Sequence, residues 1–141
     1  YDEMTRQAAK VPSGAGGLRC EPFFAGSRLN PARRALWFGV DESNFTPGHM
    51  ARALLEGVAG HFKSLYDGML QSGVSPRTCL IGSGNGVRKN ALLAEILSAA
   101  FNMPIKIPVN PEEAALGAAL LAAIGCGELG LEEASHLIRY E

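Results

Sequence analysis

Three observations predict an α/β fold. Glycine is abundant at 17 residues while aromatics make up 7%, a balance that favours helices and strands joined by tight glycine turns over an aromatic-rich β-sandwich. Near residue 82 the hydrophobic period changes from about 2 to about 3.6 across a glycine turn. A second short apolar run follows the helical stretch, which is the pattern of a strand–helix–strand unit with parallel strands and a right-handed crossover. The 141 residues give room for one domain with a sizeable core.

Each element has its own local warrant. Residues 1–10 read as the end of a helix, stopped by Val11-Pro12 and the loop Ser13-Gly14-Ala15-Gly16-Gly17, because a residue before proline avoids the helical region. Residues 19–25 and 35–40 read as two short strands separated by the turn signals Gly26-Ser27-Arg28-Leu29-Asn30-Pro31. Thr46 is placed to cap a long helix with Pro47 at its first position, where the missing N–H costs nothing. Met50, Leu54, Val58, Phe62, Leu65 and Met69 give that helix an expected buried stripe ending near Ser72-Gly73. Gly57 and Gly60 inside it suggest close backbone packing.

Thr78-Cys79-Leu80-Ile81 is an expected buried strand, with Cys79 in the core, and residues 90–101 an expected helix with Leu92, Leu93, Ile96 and Leu97 on one side. Residues 104–108 supply the second strand, and the helix from Pro47 is expected to pack on this sheet. Asn110 is an expected cap for a last strong helix, with Pro111 in its first turn and Glu112 and Glu113 at its positive end. The Ala/Leu-rich run 114–124 is expected to be buried on most of its surface. A short amphipathic helix over 131–137 closes the chain.

Charge and cysteine use bound the function. Thirteen Lys and Arg against 14 Asp and Glu leave a net charge of −1, so no summed basic field would attract nucleic acid or an anionic membrane. Cys20, Cys79 and Cys126 are widely spaced without a C-x-x-C pair. They suggest neither a disulfide framework nor a zinc site, and a reducing, cytoplasmic setting is expected. No run long enough for a membrane-spanning helix and no signal peptide is visible. The chain starts at Tyr1 inside a polar, helix-like stretch and reads as part of something longer.

The segment Leu80-Ile81-Gly82-Ser83-Gly84-Asn85-Gly86-Val87-Arg88-Lys89-Asn90 is the most informative. Its glycine backbone can approach a ligand closely, and the N–H groups at the helix start favour an anion or a polarised group. A tight turn with no ligand is the competing reading. The spacing breaks the G-x-G-x-x-G dinucleotide pattern, and the following strand lacks the acidic residue that would hold a ribose, so NAD is disfavoured. A Walker A loop fails because Lys89 is followed by Asn90. His49 could touch a ligand, although capping or packing is the better reading, and Arg28 could bind phosphate or pair with Glu56. His61 and His136 read as surface residues. Asp41 is expected to close a turn with Ser43, and Asp67 to face solvent.

Four stretches in order carry a family resemblance: Gly17-Leu18 with Glu21-Pro22-Phe23-Phe24-Ala25-Gly26-Ser27-Arg28, then Gly48-His49-Met50-Ala51-Arg52-Ala53-Leu54-Leu55-Glu56-Gly57-Val58, then the Gly82 turn, then Glu112-Glu113-Ala114-Ala115-Leu116-Gly117-Ala118-Ala119. Together they resemble the C-terminal domain of the FGGY carbohydrate kinases, over residues 1 to about 125. Residues 43–54 and the turn Gly82-Ser83-Gly84 with Asn90 most resemble the sedoheptulokinases. The resemblance implies a ribonuclease-H-like, actin- or hexokinase-type ATPase half-domain of three layers, helix/sheet/helix. Residues 1–141 would be part of the nucleotide-side domain.

It further implies that Gly82, Ser83, Gly84, Asn85, Gly86 and Asn90 form the adenosine motif for ATP, with Asn90 reaching the adenine. Residues 113–119 would be a hinge helix, with Ala115 and Gly117 allowing the two lobes to pack closely. In that family the catalytic base is an Asp of the first lobe, so no catalytic residue and no metal ligand is expected in this chain, and Mg²⁺ would be held mainly by the phosphates and the upstream lobe. The expected partners are a small sugar substrate and that lobe, with a homodimer left open. A noncatalytic nucleotide-binding or regulatory module on the same half-fold is the alternative.

Overall fold

The computed structural model describes residues 2–141; Tyr1, the expected first residue of the opening helix, lies outside them. Helix α1 (Asp2–Ala9) gives way at Val11-Pro12 to the glycine loop, where Gly14, Gly16 and Gly17 take φ of 87°, 60° and 88°. These left-handed values are cheap for glycine and reverse the chain into β1 (Arg19–Glu21). Strand β1 pairs antiparallel with β2 (Leu36–Phe38), with Cys20 opposite Trp37. Both are shorter than expected. Pro22 has no N–H for a ladder, and Phe23 N–H already turns back to the Glu21 carbonyl at 3.0 Å.

Helix α2 (Pro47–Gln71) begins as the sequence predicts, with Thr46 Oγ1 accepting the His49 N–H at 3.3 Å, and ends at Ser72 before Gly73, whose φ is 91°. Its buried face differs from the expected stripe. Gly48, Ala53 and Ala59 are buried, Met50, Leu54 and Val58 are half-buried, and Phe62, Leu65 and Met69 are exposed. Small residues win the interface because α2 packs against the backbones of α1 and β1. A Cβ on Gly57 would stand 2.1 Å from the Cys20 carbonyl oxygen, whereas one on Gly60 would meet nothing within 4 Å, so close packing is realised only at Gly57.

Strands β3 (Leu80–Ile81) and β4 (Ile105–Lys106) are parallel, Leu80 beside Ile105 and Ile81 beside Lys106, and are joined through α3 (Asn85–Arg88) and α4 (Ala91–Phe101). The strand–helix–strand unit is therefore as expected, with an additional helical turn, α3, inside the presumed glycine loop. Cys79 and Leu80 are only half-buried and Ile81 is 50% exposed, which corrects the buried strand and the core placement of Cys79: two short strands give little surface to cover. Helix α2 meets this unit mainly through α4 rather than the sheet. Leu92, Ile96 and Leu97 of α4 cluster with Ala8 and Ala59, and Leu55 and Ile105 pack at the margin. A second cluster, Val11, Ala15, Leu18, Cys20 and Ala53, lies under the glycine loop.

Helix α5 (Glu113–Gly125) departs most from expectation. Asn110 does not cap it; Asn110 Oδ1 accepts the Glu112 N–H at 2.8 Å, an Asx turn that places Pro111 before the helix. Only Leu120 is buried, while Ala114, Ala115, Ala118, Ala119 and Leu121 are exposed. An apolar helix is expected to be covered, but within the described residues α5 has only α6 (Leu131–His136) as a substantial helical neighbour. Beyond α6 the last residues run antiparallel to the chain after β4, with Glu141 and Ile107 exchanging backbone hydrogen bonds at 3.0 and 2.9 Å and Val109 N–H reaching the Arg139 carbonyl at 2.9 Å. No sequence signal announced this pairing.

Candidate functional site

The expected ligand turn is built tightly. A Cβ on Gly82 would lie 2.9 Å from both Ile105 Cδ1 and Val87 Cγ1, so glycine here lets β3 pass directly beside β4 and α3. Gly84 has φ 90° and ψ 163°, a region essentially confined to glycine. Cβ atoms on Gly84 and Gly86 would meet nothing within 4 Å, so the backbone at both positions is bare. Asn90 stands at the start of α4, and its Oδ1 accepts the Leu93 N–H at 3.0 Å. The cap occupies the oxygen, and Asn90 Nδ2 makes no hydrogen bond among the described residues.

A cleft of about 990 Å³ opens beside this turn. Asn85, Gly86, Lys89, Asn90 and Leu93 form one wall, and Asp2, Met4, Thr5, Trp37, Pro47, Met50, Ala51, Leu54 and Leu55 form the rest. Of the six predicted contact residues the cleft brings together Asn85, Gly86 and Asn90; Gly82, Ser83 and Gly84 lie outside its wall. Trp37 and Lys89 are lining residues that sequence reasoning did not assign, and Trp37 lies 48 or more positions away along the chain, beyond any local pattern. Its buried Nε1–H has no partner among the described residues. Mostly apolar walls with a few polar groups suit a flat aromatic ligand with polar edges. A more open groove of about 950 Å³ follows α4 on the Arg88, Glu95 and Ser98 side.

The anion expected at the turn is supplied by the protein itself. Glu113 Oε1 accepts the Gly84 N–H at 3.3 Å and Arg88 Nη2–H at 2.9 Å. The Arg88 hydrogen bond, followed by that from Gly84, holds the Glu113 carboxyl below the ordinary glutamate value. Arg88 also donates to the Pro108 carbonyl and, at 3.0 Å, to the Asn110 carbonyl. With a carboxylate already against Gly84, the turn suits an uncharged group better than a phosphate.

The remaining candidates resolve structurally. His49 Nδ1 lies 2.8 Å from Thr46 Oγ1 at the start of α2, the capping role. Glu56 receives Arg52 at 2.6 Å and Gly14 N–H at 3.0 Å, so the alternative pairing with Arg28 is not made and Arg28 is exposed. Asp41 Oδ1 accepts from Ser43 N–H at 2.7 Å and Ser43 Oγ–H at 2.6 Å, as expected, and these bonds lower its pKa. Asp67 faces solvent as expected, its side chain 44% exposed, and pairs there with Lys63. His61 is not a simple surface residue: it is half-buried, edge-on to Phe23 at 5.0 Å. His136 is exposed. Among the described residues no three His, Cys, Asp or Glu side chains cluster as a metal ion would require.

Residues 1–126 match the C-terminal domain model of the FGGY family of carbohydrate kinases. The chain belongs to this family. It is 30% identical over 132 residues to a gluconokinase of Bacillus subtilis, covering 92% of this chain and 25% of that protein. The structure superposes on a xylulose kinase from Rhodospirillum rubrum with a TM-score of 0.84 and 34% identity, over 99% of this chain and 28% of that one. A Plasmodium falciparum glycerol kinase solved with ADP gives a TM-score of 0.79 and 25% identity, over 99% and 28%. The FGGY chain thus spans about a quarter of the length of these relatives. Its fold class is α/β, and its solved neighbours are sugar kinases of the ribonuclease-H-like, actin-ATPase type.

Proposed function

We propose that residues 1–141 are part of the nucleotide-side domain of an ATP-dependent carbohydrate kinase that phosphorylates sedoheptulose or another ketose or polyol. The observation that carries this reading is the bare backbone at Gly86, which stands with Asn85 and Asn90 in the wall of an apolar cleft. Adenosine fits such a place: its base is flat and apolar on its faces, and the Asn90 Nδ2–H can donate to a ring nitrogen. Gly82, Ser83 and Gly84 set the course of the turn, and Asn85, Gly86 and Asn90 present it to the cleft. The sedoheptulose assignment rests on residues 43–54 and the Gly82 turn.

In the proposed reaction the sugar hydroxyl oxygen bonds to the γ-phosphorus, the bond from that phosphorus to the bridging oxygen breaks, ADP leaves, and the hydroxyl proton passes to a base. That base and the phosphate-binding turns are assigned to the upstream lobe. No residue of this chain is assigned to Mg²⁺, which is assigned to the phosphates and the same lobe, and no step of this chain runs through it. The exposed apolar surface of α5, with Ala115 and Gly117, is read as the hinge face that meets this lobe or a second copy of the chain. No helix among the described residues is long and apolar enough to cross a membrane, and a cytoplasmic location is proposed.

Gly86→Val tests the nucleotide site. A Cβ there has open space in the folded chain, so stability should change by less than about 1 kcal/mol, while the branched side chain intrudes on the cleft. In the whole polypeptide to which this chain belongs, ADP affinity measured by calorimetry should fall at least about tenfold. Unchanged affinity would remove the assignment.

A further inference from the structure

We propose that Arg88 is a positioning residue that, through Glu113, locks the Gly84 turn to the first turn of α5, so that the nucleotide turn and the hinge helix move as one body. The inference rests on the nucleotide-site reading above and adds to it the coupling of that site to the hinge.

The geometry gives this lock three anchors. Glu113 belongs to α5, Gly84 and Arg88 flank the turn, and Pro108 and Asn110 lie in the connection from β4 to α5. One carboxylate oxygen, Glu113 Oε1, receives both the Gly84 N–H at 3.3 Å and Arg88 Nη2–H at 2.9 Å. Arg88 Nη2 has two hydrogens and faces three acceptors, Glu113 Oε1 and the carbonyls of Pro108 and Asn110. A rotation of α5 that carried Glu113 away would therefore break the contact to Gly84 and disturb those to the connection together. The side chains of Arg88 and Glu113 are only 17% and 21% exposed, so the pair is screened less than a surface ion pair. Arg88 Nη1 also stands 4.0 Å from the Glu141 carboxylate, which places the C-terminal end beside the same hub.

The chemistry is specific to arginine. The planar guanidinium aims Arg88 Nη2 at Glu113 and both carbonyls while Nη1 faces Glu141, whereas a lysine ammonium is a compact charge on a flexible stem. Arg88 does not line the cleft that holds Asn85, Gly86 and Asn90. Its effect on a bound nucleotide must travel through the turn, which separates it from a residue that touches the ligand.

The test uses the whole kinase polypeptide carrying Arg88→Ala, Arg88→Lys, Glu113→Gln and the double variant Arg88→Ala/Glu113→Gln. For Arg88→Ala the KM for ATP should rise about tenfold while the KM for the sugar changes less than about twofold. Glu113→Gln keeps an oxygen for the Gly84 N–H and should fall between wild type and Arg88→Ala, Arg88→Lys should recover part of the loss, and the double variant should be no worse than the poorer single one. In parallel, amide hydrogen exchange should accelerate at Gly84 in Arg88→Ala. Equal shifts in both KM values, additive losses, or a lowered Tm with an unchanged KM for ATP would overturn the proposal. If the wild-type protein does not bind adenine nucleotide, the nucleotide-site reading falls; the lock is then judged by Gly84 exchange, and unchanged exchange refutes it.

Discussion

Asn44 is the polar side chain fully withdrawn from water, at 0% exposure among the described residues. Its Nδ2 donates to the Gly16 and Gly39 carbonyls at 3.0 and 2.8 Å, and its Oδ1 accepts the Asp41 N–H at 2.9 Å. One amide thus ties the glycine loop to the exit of β2 and to the turn that launches α2. Glycine at 39 belongs to the same node, since its φ is 79° and a Cβ there would lie 2.5 Å from the Gly17 carbonyl oxygen. Asn44→Ala would remove the partner of two carbonyls and an N–H at a partly buried node, at up to about 1–3 kcal/mol for each group left unsatisfied. Partial relaxation toward water brings the expected loss to about 3 kcal/mol. Urea unfolding would read it directly, and a loss under about 1 kcal/mol would mean that the three bonds do not hold the loop.

At the scale of elements, Gly57 and Gly60, two of the glycines inside α2, make opposite predictions. Gly57→Ala drives a methyl group to 2.1 Å from the Cys20 carbonyl oxygen; the backbones must separate, and a loss above about 2 kcal/mol is expected. Gly60→Ala meets open space and should stabilise the helix by up to about 1 kcal/mol. Thermal melts of the two variants moving in the same direction would contradict the packing of α2 on β1. The contrast also marks the reach of the sequence. Some helix ends were legible because they depend on local chemistry: Thr46 with Pro47, and Gly73, act within a turn of where they stand, whereas Asn110, read as a cap, is drawn into an Asx turn with Glu112. The parallel pairing of β3 and β4 was legible from the change in period. Which face of α2 is buried was not, because apolar spacing points to Phe62 and Leu65, whereas the contact is made by small residues that let backbones approach. For the same reason the Gly82 turn could be located between strand and helix, but not its partners: Arg88 meets Glu113 across 25 positions, and no local pattern links them.

The whole molecule raises the question of what α5 is built to touch. Its Ala/Leu composition encodes burial, yet Leu121 is 69% exposed and Leu120 alone is buried, so the sequence anticipates a surface that the described residues do not provide. Under the proposed function that surface belongs to the upstream lobe, which also supplies the base and the phosphate-binding turns. The chain spans about a quarter of its relatives' length, and its described residues hold no cluster of three metal-ligating side chains. Asp41 accepts from Ser43 in a turn, and Asp67 pairs with Lys63. Residues 1–141 alone are therefore expected to hold an adenosine weakly, to self-associate through α5, and to phosphorylate no sugar. A coupled ADP-release assay with a panel of ketoses checks this, beside sedimentation of the same sample: sugar-dependent turnover near the kinase range, about 1 per second or more, would mean that the chain carries catalytic groups of its own. Adding the upstream lobe, in one polypeptide or as a complementing fragment, should restore turnover and suppress self-association together, because one apolar face cannot serve both contacts at once.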